Sequence, residues 1–428
     1  MAGQLASRAA PASRDAAVRS LRDGDAPAEV TAAASAAAMA ARAHPDGSSI
    51  HADARRRPAR CRDAAAVLQG NVRRIWPRFL IALSILGSAH LYIWWRLVAP
   101  LPAPWRVVGT VIVAGLAPSL PFSLRFLRRL SRAAAQPYLW IVYVWFGLAT
   151  YLLLGAAASH VAVAAGVAPA TAAILAIAAA AAVATYGLAH VARGPRVRRV
   201  EVALEGLPVA SYTLVQLTDV HIGPLLGRAF AEALVAQVNA LAPDLIVITG
   251  DLVDGRLSEL RPHIEPLRAL HARDGVYCVT GNHEYYWDAE RWLEHLRSLG
   301  IRILRNEHVT IAEAFVLAGV DDSTAAEDLP GAVIGRDPAL PLVLLAHHPR
   351  VIERAAPAGV DLQLSGHTHG GQLLPLGYLS RLFDPLVAGL ARFGATWLYV
   401  SEGTGFWGPP MRVGTTQEIT AMTLVPAP

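Results

Sequence analysis

Long apolar stretches alternate with short loops in the first half of the chain. Four such segments follow one another: Phe79–Val98, Trp105–Leu124, Tyr138–Ala158 and Pro169–Val191. A bilayer-spanning helix needs about 20 mostly apolar residues, and the prolines of the second segment are tolerated where neighbouring helices satisfy the freed carbonyl groups. A large apolar core of a water-soluble protein is disfavoured, because no Asp or Glu occurs between residues 63 and 201. We therefore predict an α-helical transmembrane region of about four helices over residues 71–194.

From Arg196 onward the pattern is that of a soluble α/β domain. Short apolar runs with β-branched residues occur at Thr213–Leu217, Leu245–Thr249, Gly275–Thr280, Phe315–Val320, Leu342–Ala346 and Trp397–Val400. Helical periodicity fills several of the gaps, as at Ala229–Leu241 and Asp288–Leu299. Strands that alternate with helices indicate a layered α/β fold, which we predict for residues 195–428.

The first 70 residues show neither pattern. They are rich in Ala and Arg and contain few large apolar residues, so they cannot bury enough surface to offset the entropy of ordering. We predict that residues 1–70 form a disordered N-terminal extension. The two cysteines, Cys61 and Cys278, lie in different regions, which favours free thiols and excludes a disulfide-stabilised fold.

The balance of charge changes near residue 200, where the α/β pattern begins. All basic residues are Arg; residues 1–200 hold 23 of them against 7 acidic residues, and residues 201–428 hold 15 against 26. Arginines precede the first apolar segment, separate the second from the third, and follow the fourth, whereas the other two loops are nearly bare. Because cytoplasmic loops carry the excess of basic residues, we predict a multi-pass protein of the cell membrane with a cytoplasmic α/β domain. The acidic second half disfavours nucleic acid as a partner.

Polar residues cluster directly after the predicted strands, where layered sheets usually build their sites. Five blocks follow one another along the chain: Asp219-Val220-His221, Gly250-Asp251-Leu252-Val253-Asp254, Gly281-Asn282-His283-Glu284, His347-His348-Pro349 and Gly366-His367-Thr368-His369-Gly370-Gly371. Each block alone is weak evidence, and Asp254 is equally explained as the cap of the following loop. Five such blocks in one order, each after a strand-like run, are not expected by chance.

The side chains in these blocks favour a particular chemistry. Carboxylates, an amide oxygen and imidazoles suit Mn, Fe, Zn or Mg. A carboxylate can bridge two cations, and two cations about 3.5–4 Å apart activate a shared water and clamp the oxygens of an in-line displacement at phosphorus. Glycines beside the ligands allow the backbone to approach the metals and the phosphate closely. The blocks therefore indicate a two-metal site for phosphoryl chemistry.

The five blocks resemble those of the calcineurin-like metallophosphoesterase superfamily. The likeness covers about residues 200–424, and the form GHTHGGQ at Gly366–Gln372 is similar to a bacterial, membrane-associated branch. The closing segment also resembles that branch, although Glu402 and Gln417 stand where Arg and Pro are expected. The resemblance implies a sandwich of two β-sheets flanked by helices, here preceded by the transmembrane region.

The resemblance also implies roles for individual residues. The first metal would be held by Asp219, His221 and His369, and the second by Asn282, His347 and His367, with Asp251 bridging the two. His283 would face the phosphate as general acid or hydrogen-bond donor. Asp254 and Glu284 would be supporting residues, Glu284 by orienting His283. His348 is expected to point away, since neighbouring strand residues face opposite sides.

The leading hypothesis is a membrane-anchored phosphoester hydrolase in which a hydroxide bridging two divalent metal ions attacks phosphorus in line. One alternative is a pyrophosphohydrolase for a lipid-linked nucleotide or sugar diphosphate. A non-enzymatic alternative is a membrane scaffold or sensor that retains the metal site, and intact His283 argues against it. A transporter is disfavoured because the apolar half offers no carboxylate for ion coupling.

Two further features suggest a substrate at the membrane surface. Arg193, Arg196, Arg198 and Arg199 follow the last apolar segment and could bind anionic head groups. The leucine-rich segment Leu373–Leu390 is interpreted either as an apolar lip beside the site or as part of the core. The expected partners are thus a phosphoester, lipid-linked in the finer hypothesis, and membrane lipids.

Overall fold

The computed structural model describes residue 81, residues 83–126 and residues 130–428. The predicted disordered extension, residues 1–70, lies outside these residues, as does the beginning of the first predicted apolar segment at Phe79. The described chain is helical up to residue 191 and α/β from residue 196. The described residues of both parts belong to one compact unit.

The first part consists of apolar helices. Helix α1 covers residues 83–93 and continues into a π-helical turn, Trp94–Val98; α2 (Ala103–Leu116), α3 (Ser119–Phe126), α4 (Arg132–Ala164) and α5 (Pro169–Val191) follow. Within the described residues, three stretches are long and apolar enough to cross a membrane: Ala103–Ser123, Arg132–Ala164 and Pro169–Val191. The Ser131 side chain accepts a hydrogen bond from the backbone N–H of Ala134 and so caps the start of α4. The protein is thus membrane-associated through this helical part.

The second part is built from two six-stranded mixed sheets. The first sheet has the order β1 (Arg196–Leu204), β12 (Glu418–Pro426), β2 (Tyr212–Leu217), β3 (Leu245–Thr249), β4 (Val276–Val279), β5 (Arg302–Ile303). The second has the order β10 (Gly389–Phe393), β11 (Thr396–Val400), β9 (Leu362–Ser365), β8 (Leu342–Leu345), β7 (Phe315–Gly319), β6 (Glu307–Ile311). The helices are α6 (Arg228–Asn239), α7 (Leu257–Ile264), α8 (Asn282–Tyr286), α9 (Ala289–Ser298), α10 (Leu329–Val333) and α11 (Ile352–Ala355), with 3₁₀ turns at Glu265–Ala269, Pro349–Val351, His369–Gly371 and Leu376–Leu382.

Alternating residues of the strands pack on opposite faces of each sheet. In β2, Leu214 lies in the apolar layer between the sheets, whereas Val215 and Leu217 pack against the helices on the outer face. The edge of the Tyr212 ring meets Phe315 of the opposite sheet at 5.0 Å between ring centroids. The predicted two-sheet sandwich flanked by helices is therefore confirmed.

Parallel pairing determines where the site lies. Strands β2, β3 and β4 are mutually parallel in the first sheet, and β7, β8 and β9 in the second. Their carboxyl ends meet at one edge of the sandwich, and the five polar blocks follow β2, β3, β4, β8 and β9 there.

Helices α4 and α5 contact the α/β part beside this edge. Gly147 of α4 and Gly187 of α5 have no side chain, and Met411 occupies the space in front of both. A Cβ atom at Gly147 would lie 2.6 Å from the Met411 sulfur. Leu373 and Met411 therefore belong to the same buried apolar cluster as the helices.

Candidate metal centre

The predicted ligands form two clusters at the carboxyl ends of the strands. Asp219, His221 and His369 present ligand atoms within 4.8 Å of one another, and so do Asp251, His347 and His367. The two Nε2 atoms of His221 and His369 are 3.1 Å apart, and Nδ1 of His367 lies 3.3 Å from Nε2 of His347. All but the half-buried His367 are buried.

Asp251, a member of the second cluster, also faces the first. Its Oδ2 atom is 3.2 Å from Nε2 of His347 in one cluster and 3.9 Å from Nε2 of His221 in the other. Its Oδ1 atom accepts a hydrogen bond from the backbone N–H of His283 at 2.9 Å. One oxygen is thus within reach of both clusters, while the other holds the carboxylate in place.

The donor set fits divalent cations. Oδ1 of Asn282 is buried and has no hydrogen-bond partner within the described residues, an arrangement that costs free energy unless another group binds the oxygen. Ring nitrogens of histidine pairs converge on each other, as expected for imidazoles around a shared cation. Burial and the charge of His347 lower the pKa of His367 to about 3, whereas Asp251 raises the pKa of His347 to about 10 against the effect of burial. A cation bound by both rings would therefore displace a proton from His347.

The backbone around the ligands is strained. Five of the seven predicted ligands have positive φ values of 49–71°: Asp219, His221, Asp251, His367 and His369. Such conformations are uncommon outside glycine and cluster at functional sites. Gly281 and Gly366 allow the close packing here, because a Cβ atom at either position would overlap the carboxylate of Asp251 or Asp219.

His283 stands beside the clusters with its ring held from one side. Its Nδ1 atom is 2.7 Å from Oδ1 of Asp254, and its Nε2 atom is 3.9 Å from Oδ2 of Asp251. Although burial favours the neutral imidazole, the hydrogen bond and charge of Asp254 raise the pKa of His283 to about 9. The edge of the His283 ring also meets the ring of Trp407, at 5.8 Å between centroids.

Glu284 does not contact the His283 ring, although it was expected to orient it. Its carboxylate accepts hydrogen bonds from the backbone N–H groups of Gly281, Asp251 and Leu252 at 2.7–3.0 Å. Asp254, not Glu284, contacts the His283 imidazole, because Glu284 points back under the loop that follows β3. His348 pairs with Asp322 at 3.1 Å, and its ring centre is 3.8 Å from that of His367, so it does not point away from the second cluster as expected.

Two buried residues that the sequence did not single out support the site. Arg412 is fully buried and donates hydrogen bonds to the carbonyl groups of His369, Gly403 and Gly405. Gln372 donates to the carbonyl of Trp407 at 2.9 Å and accepts from its N–H at 3.1 Å, so it holds the loop beside His283. Only the placement of both beside motif residues, within GHTHGGQ and the closing segment, hinted at such roles.

Helix α4 forms a wall next to this site. Nε of Arg132 donates to the carbonyl of Gly223 at 2.8 Å, and Leu225 packs on the first turns of α4. A cavity of about 20 Å³ separates Tyr143 of α4 from His221 and its neighbours. A helix of the membrane part is therefore close to the proposed reaction centre.

Comparisons with known proteins agree with this site. Residues 212–371 match the family model described as calcineurin-like phosphoesterase. This range contains all the predicted metal ligands and His283.

Several whole proteins are similar to the chain. A "transmembrane protein with metallophosphoesterase domain" from Bos taurus is 36% identical over 82% of this chain and 89% of its own length. The protein of the same name from Danio rerio is 41% identical, and the match covers 56% of this chain and 59% of that protein. An "uncharacterized metallophosphoesterase" of Helicobacter pylori strain J99 is 37% identical over 54% of this chain and 64% of its own length. The chain thus spans less than two thirds of the latter two relatives.

Among solved structures, the 5'-nucleotidase precursor from Thermus thermophilus is similar at 16% identity. It aligns with a TM-score of 0.29 over 50% of this chain and 54% of that chain.

Proposed function

Since this chain belongs to the calcineurin-like phosphoesterase family, we propose that it hydrolyses phosphoesters at a membrane surface with two divalent cations. The family assignment makes the protein a metallophosphoesterase, and its apolar helices associate it with the membrane. The number of ions, the substrate and the orientation in the membrane are parts of the proposal.

The position of Asp251 carries the two-metal proposal. Asp251 belongs to the cluster with His347 and His367, and its Oδ2 atom also lies 3.9 Å from Nε2 of His221 in the other cluster. Oδ1 of Asn282 is buried without a hydrogen-bond partner among the described residues. Asp219, His221 and His369 would hold the first ion, Asn282, His347 and His367 the second, and Asp251 both. Mn, Fe, Zn or Mg ions bound there supply an activated water and neutralise charge on the phosphate.

His283 and Asp254 would form the proton-donating pair. Because Nδ1 of His283 faces Asp254, its Nε2 atom is free to face the bound phosphoester. Protonated His283 would give its proton to the leaving-group oxygen or stabilise the charge that develops there. This pair also favours an enzyme over a non-catalytic scaffold or sensor, since a purely structural metal site does not need it.

The closeness of α4 to the site supports a substrate at the membrane surface. A lipid-linked phosphoester is the substrate class that we propose, with a lipid-linked nucleotide or sugar diphosphate as the second candidate. We further propose that the catalytic domain is cytoplasmic, because Arg193, Arg196 and Arg199 follow α5 directly and are exposed. Arg198 is less available for lipid head groups, because it pairs with Glu418 at 3.4 Å.

A substrate panel on the full chain in lipid nanodiscs tests this function. Monoesters, diesters, nucleotide diphosphates and lipid-linked phosphates would be compared with added Mn²⁺, and we expect hydrolysis to be strongest for a lipid-linked compound. Asp251→Asn should lower the metal content from about two equivalents per chain and abolish nearly all turnover. A metal content of one equivalent in the metal-replete wild type would contradict the two-metal mechanism. Equal turnover of lipid-linked and water-soluble substrates would contradict the lipid preference.

A further inference from the structure

Exposed apolar side chains are concentrated in one short segment of the α/β part. The turn Leu376–Leu382 and the adjoining Phe383 expose five large apolar or aromatic side chains by 41–73%: Leu376, Tyr378, Leu379, Leu382 and Phe383. Between Arg196 and Pro428 only four other large hydrophobic side chains are exposed to this degree or nearly so, namely Val197, Tyr286, Ile334 and Trp407. Leu373 is buried, so the leucine-rich segment is partly core and partly an exposed apolar surface.

The two residues Leu373 and Leu374, which precede this segment, contact the membrane helices. The Leu374 carbonyl accepts a hydrogen bond from the Tyr151 hydroxyl of α4 at 3.0 Å. Leu373 packs in the apolar cluster that α4 and α5 share. The exposed residues therefore begin two positions beyond a direct contact with a helix that is apolar enough to span a bilayer.

The height of that contact along α4 places the segment at the lipid. Tyr151 lies 13 residues before Ala164, the end of α4 far from the α/β domain. At 1.5 Å per residue this is about 20 Å, less than the hydrocarbon thickness of about 30 Å. A bilayer that covers α4 from its far end thus extends to the level at which the segment starts.

The polar groups of the segment suit the interface between lipid and water. The Arg381 guanidinium lies 5.0 Å from the ring centre of Tyr378, and Arg350 donates a hydrogen bond to the Phe383 carbonyl. Tyrosine rings and arginines with apolar neighbours are enriched where head groups meet acyl chains. Asp384 is the one acidic residue between Leu373 and Leu390.

We propose that residues 376–383 insert into the lipid interface beside α4 and form a second membrane contact of the catalytic domain. The occupant of this apolar surface is the phospholipid layer that α4 and α5 already cross. The same segment borders a cavity of about 440 Å³ that is also lined by Gly370, Glu402 and Thr415. Insertion would present this cavity, whose lining residue Gly370 directly follows the predicted ligand His369, at the level of the lipid head groups.

Site-directed fluorescence on the full chain tests the insertion independently of any activity. In a Cys61→Ser background, Leu379→Cys and, separately, Leu382→Cys are labelled with a small environment-sensitive dye. Cys278 is buried and remains out of reach of the label. We expect nitroxide-labelled phosphatidylcholine in nanodiscs to quench both labels strongly and aqueous iodide to quench them weakly.

Ile334 provides the matched control, because it is 77% exposed and follows α10, whose apolar cluster contains no described residue of α1–α5. A label at Ile334→Cys should show the reverse, strong quenching by iodide and weak quenching by the lipid nitroxide. Labels at positions 379 and 382 that behave like the one at 334 would overturn the proposal, including the case in which a protein partner covers the segment. Because the test reads lipid contact alone, its failure leaves the proposed hydrolase function standing.

Discussion

At the scale of single residues, the hydrogen bonds of two carboxylates fix the geometry of the site. Glu284 accepts hydrogen bonds from four backbone N–H groups and fixes the loop that carries Asp251, while Asp254 binds the His283 ring. Burial and the charge of Asp251 raise the pKa of Glu284 to about 7, yet these N–H donors favour its ionised form. The two carboxylates therefore have separate roles: Glu284 fixes the loop, and Asp254 orients His283, the proposed proton donor.

His283→Ala is expected to separate catalysis from metal binding. The variant should keep the wild-type metal content, because the ring lies outside both predicted ligand sets. Turnover should fall by about 10²–10⁴-fold if the imidazolium donates a proton, and by less for a substrate whose leaving group needs none. Equal losses for good and poor leaving groups, measured by steady-state kinetics with elemental analysis, would instead favour charge stabilisation alone.

The pH dependence of kcat in Asp254→Asn also tests the pair of His283 and Asp254. Asp254 raises the pKa of His283 to about 9, so the imidazolium persists below that pH and is lost above it. Removing the carboxylate's charge lowers this pKa, and the alkaline limb of the kcat profile should move to lower pH. The matched variant Asp322→Asn, which affects His348, should leave the limb in place. An unshifted limb in Asp254→Asn would show that another group sets it.

The residues of the motifs could be predicted from the sequence, because repeated polar side chains directly after apolar strands indicate a site at the edge of a sheet. The hydrogen-bond partners that hold these residues in place could not be predicted. The family resemblance suggested that Glu284 orients His283, but Glu284 binds the backbone of Gly281 while the His283 ring contacts Asp254. The role of fully buried Arg412 could not be predicted either, since its carbonyl partners come from two loops that are far apart in the sequence.

At the scale of elements, the contact between α4 and the loop around Met411 connects the membrane part to the site. Met411 fills the notch at Gly147, and the next residue, Arg412, binds the carbonyl of His369. The central strands were predicted because they are continuous apolar runs, with ends within about a residue of those observed. Strands β1, β5, β6 and β10 were not predicted, since they are short, or polar on an exposed face, and depend on their neighbours. Strand β12 was not predicted either, although most of its residues are buried.

A side chain at Gly147 should disturb the site from a distance. In Gly147→Val the new atoms would displace Met411 and, with it, Arg412 and the backbone of His369. A displacement of about 1 Å in a reacting group can cost about 10²-fold in rate, so we expect a loss of that order in kcat. Gly115→Val is the control, because nothing lies within 4 Å of its Cβ position. Similar kcat values for both variants in nanodiscs would show that the contact does not position the site.

At the scale of the whole molecule, the distribution of arginine predicts the orientation in the membrane. Arg132 at the start of α4 and Arg193 and Arg196 after α5 lie at the end of the helices that faces the α/β domain. The positive-inside bias therefore predicts that this domain is cytoplasmic. A phosphatase reporter that is active only outside the cytoplasm, fused after Pro428, should stay silent. If that fusion is strongly active, and a second fusion placed in the loop at Val167 is silent, the orientation is the reverse of the one predicted.

The contacts between the two parts also predict that the α/β domain needs its helices. A chain of residues 195–428 alone would expose Met411 and Leu373, which are buried against α4 and α5, and would lose the wall that Tyr143 provides. Exposing a buried leucine or methionine side chain costs about 1.5–3 kcal/mol, and the loops next to His221 and His283 would lose their support. We expect this fragment to bind metal more weakly and to hydrolyse even a small water-soluble arylphosphate more slowly than the full chain in nanodiscs. Adding α4 and α5, as residues 131–428, should restore part of both. A fragment of residues 195–428 that matches the full chain in metal content and in kcat for the arylphosphate would show that the helices serve only to anchor it.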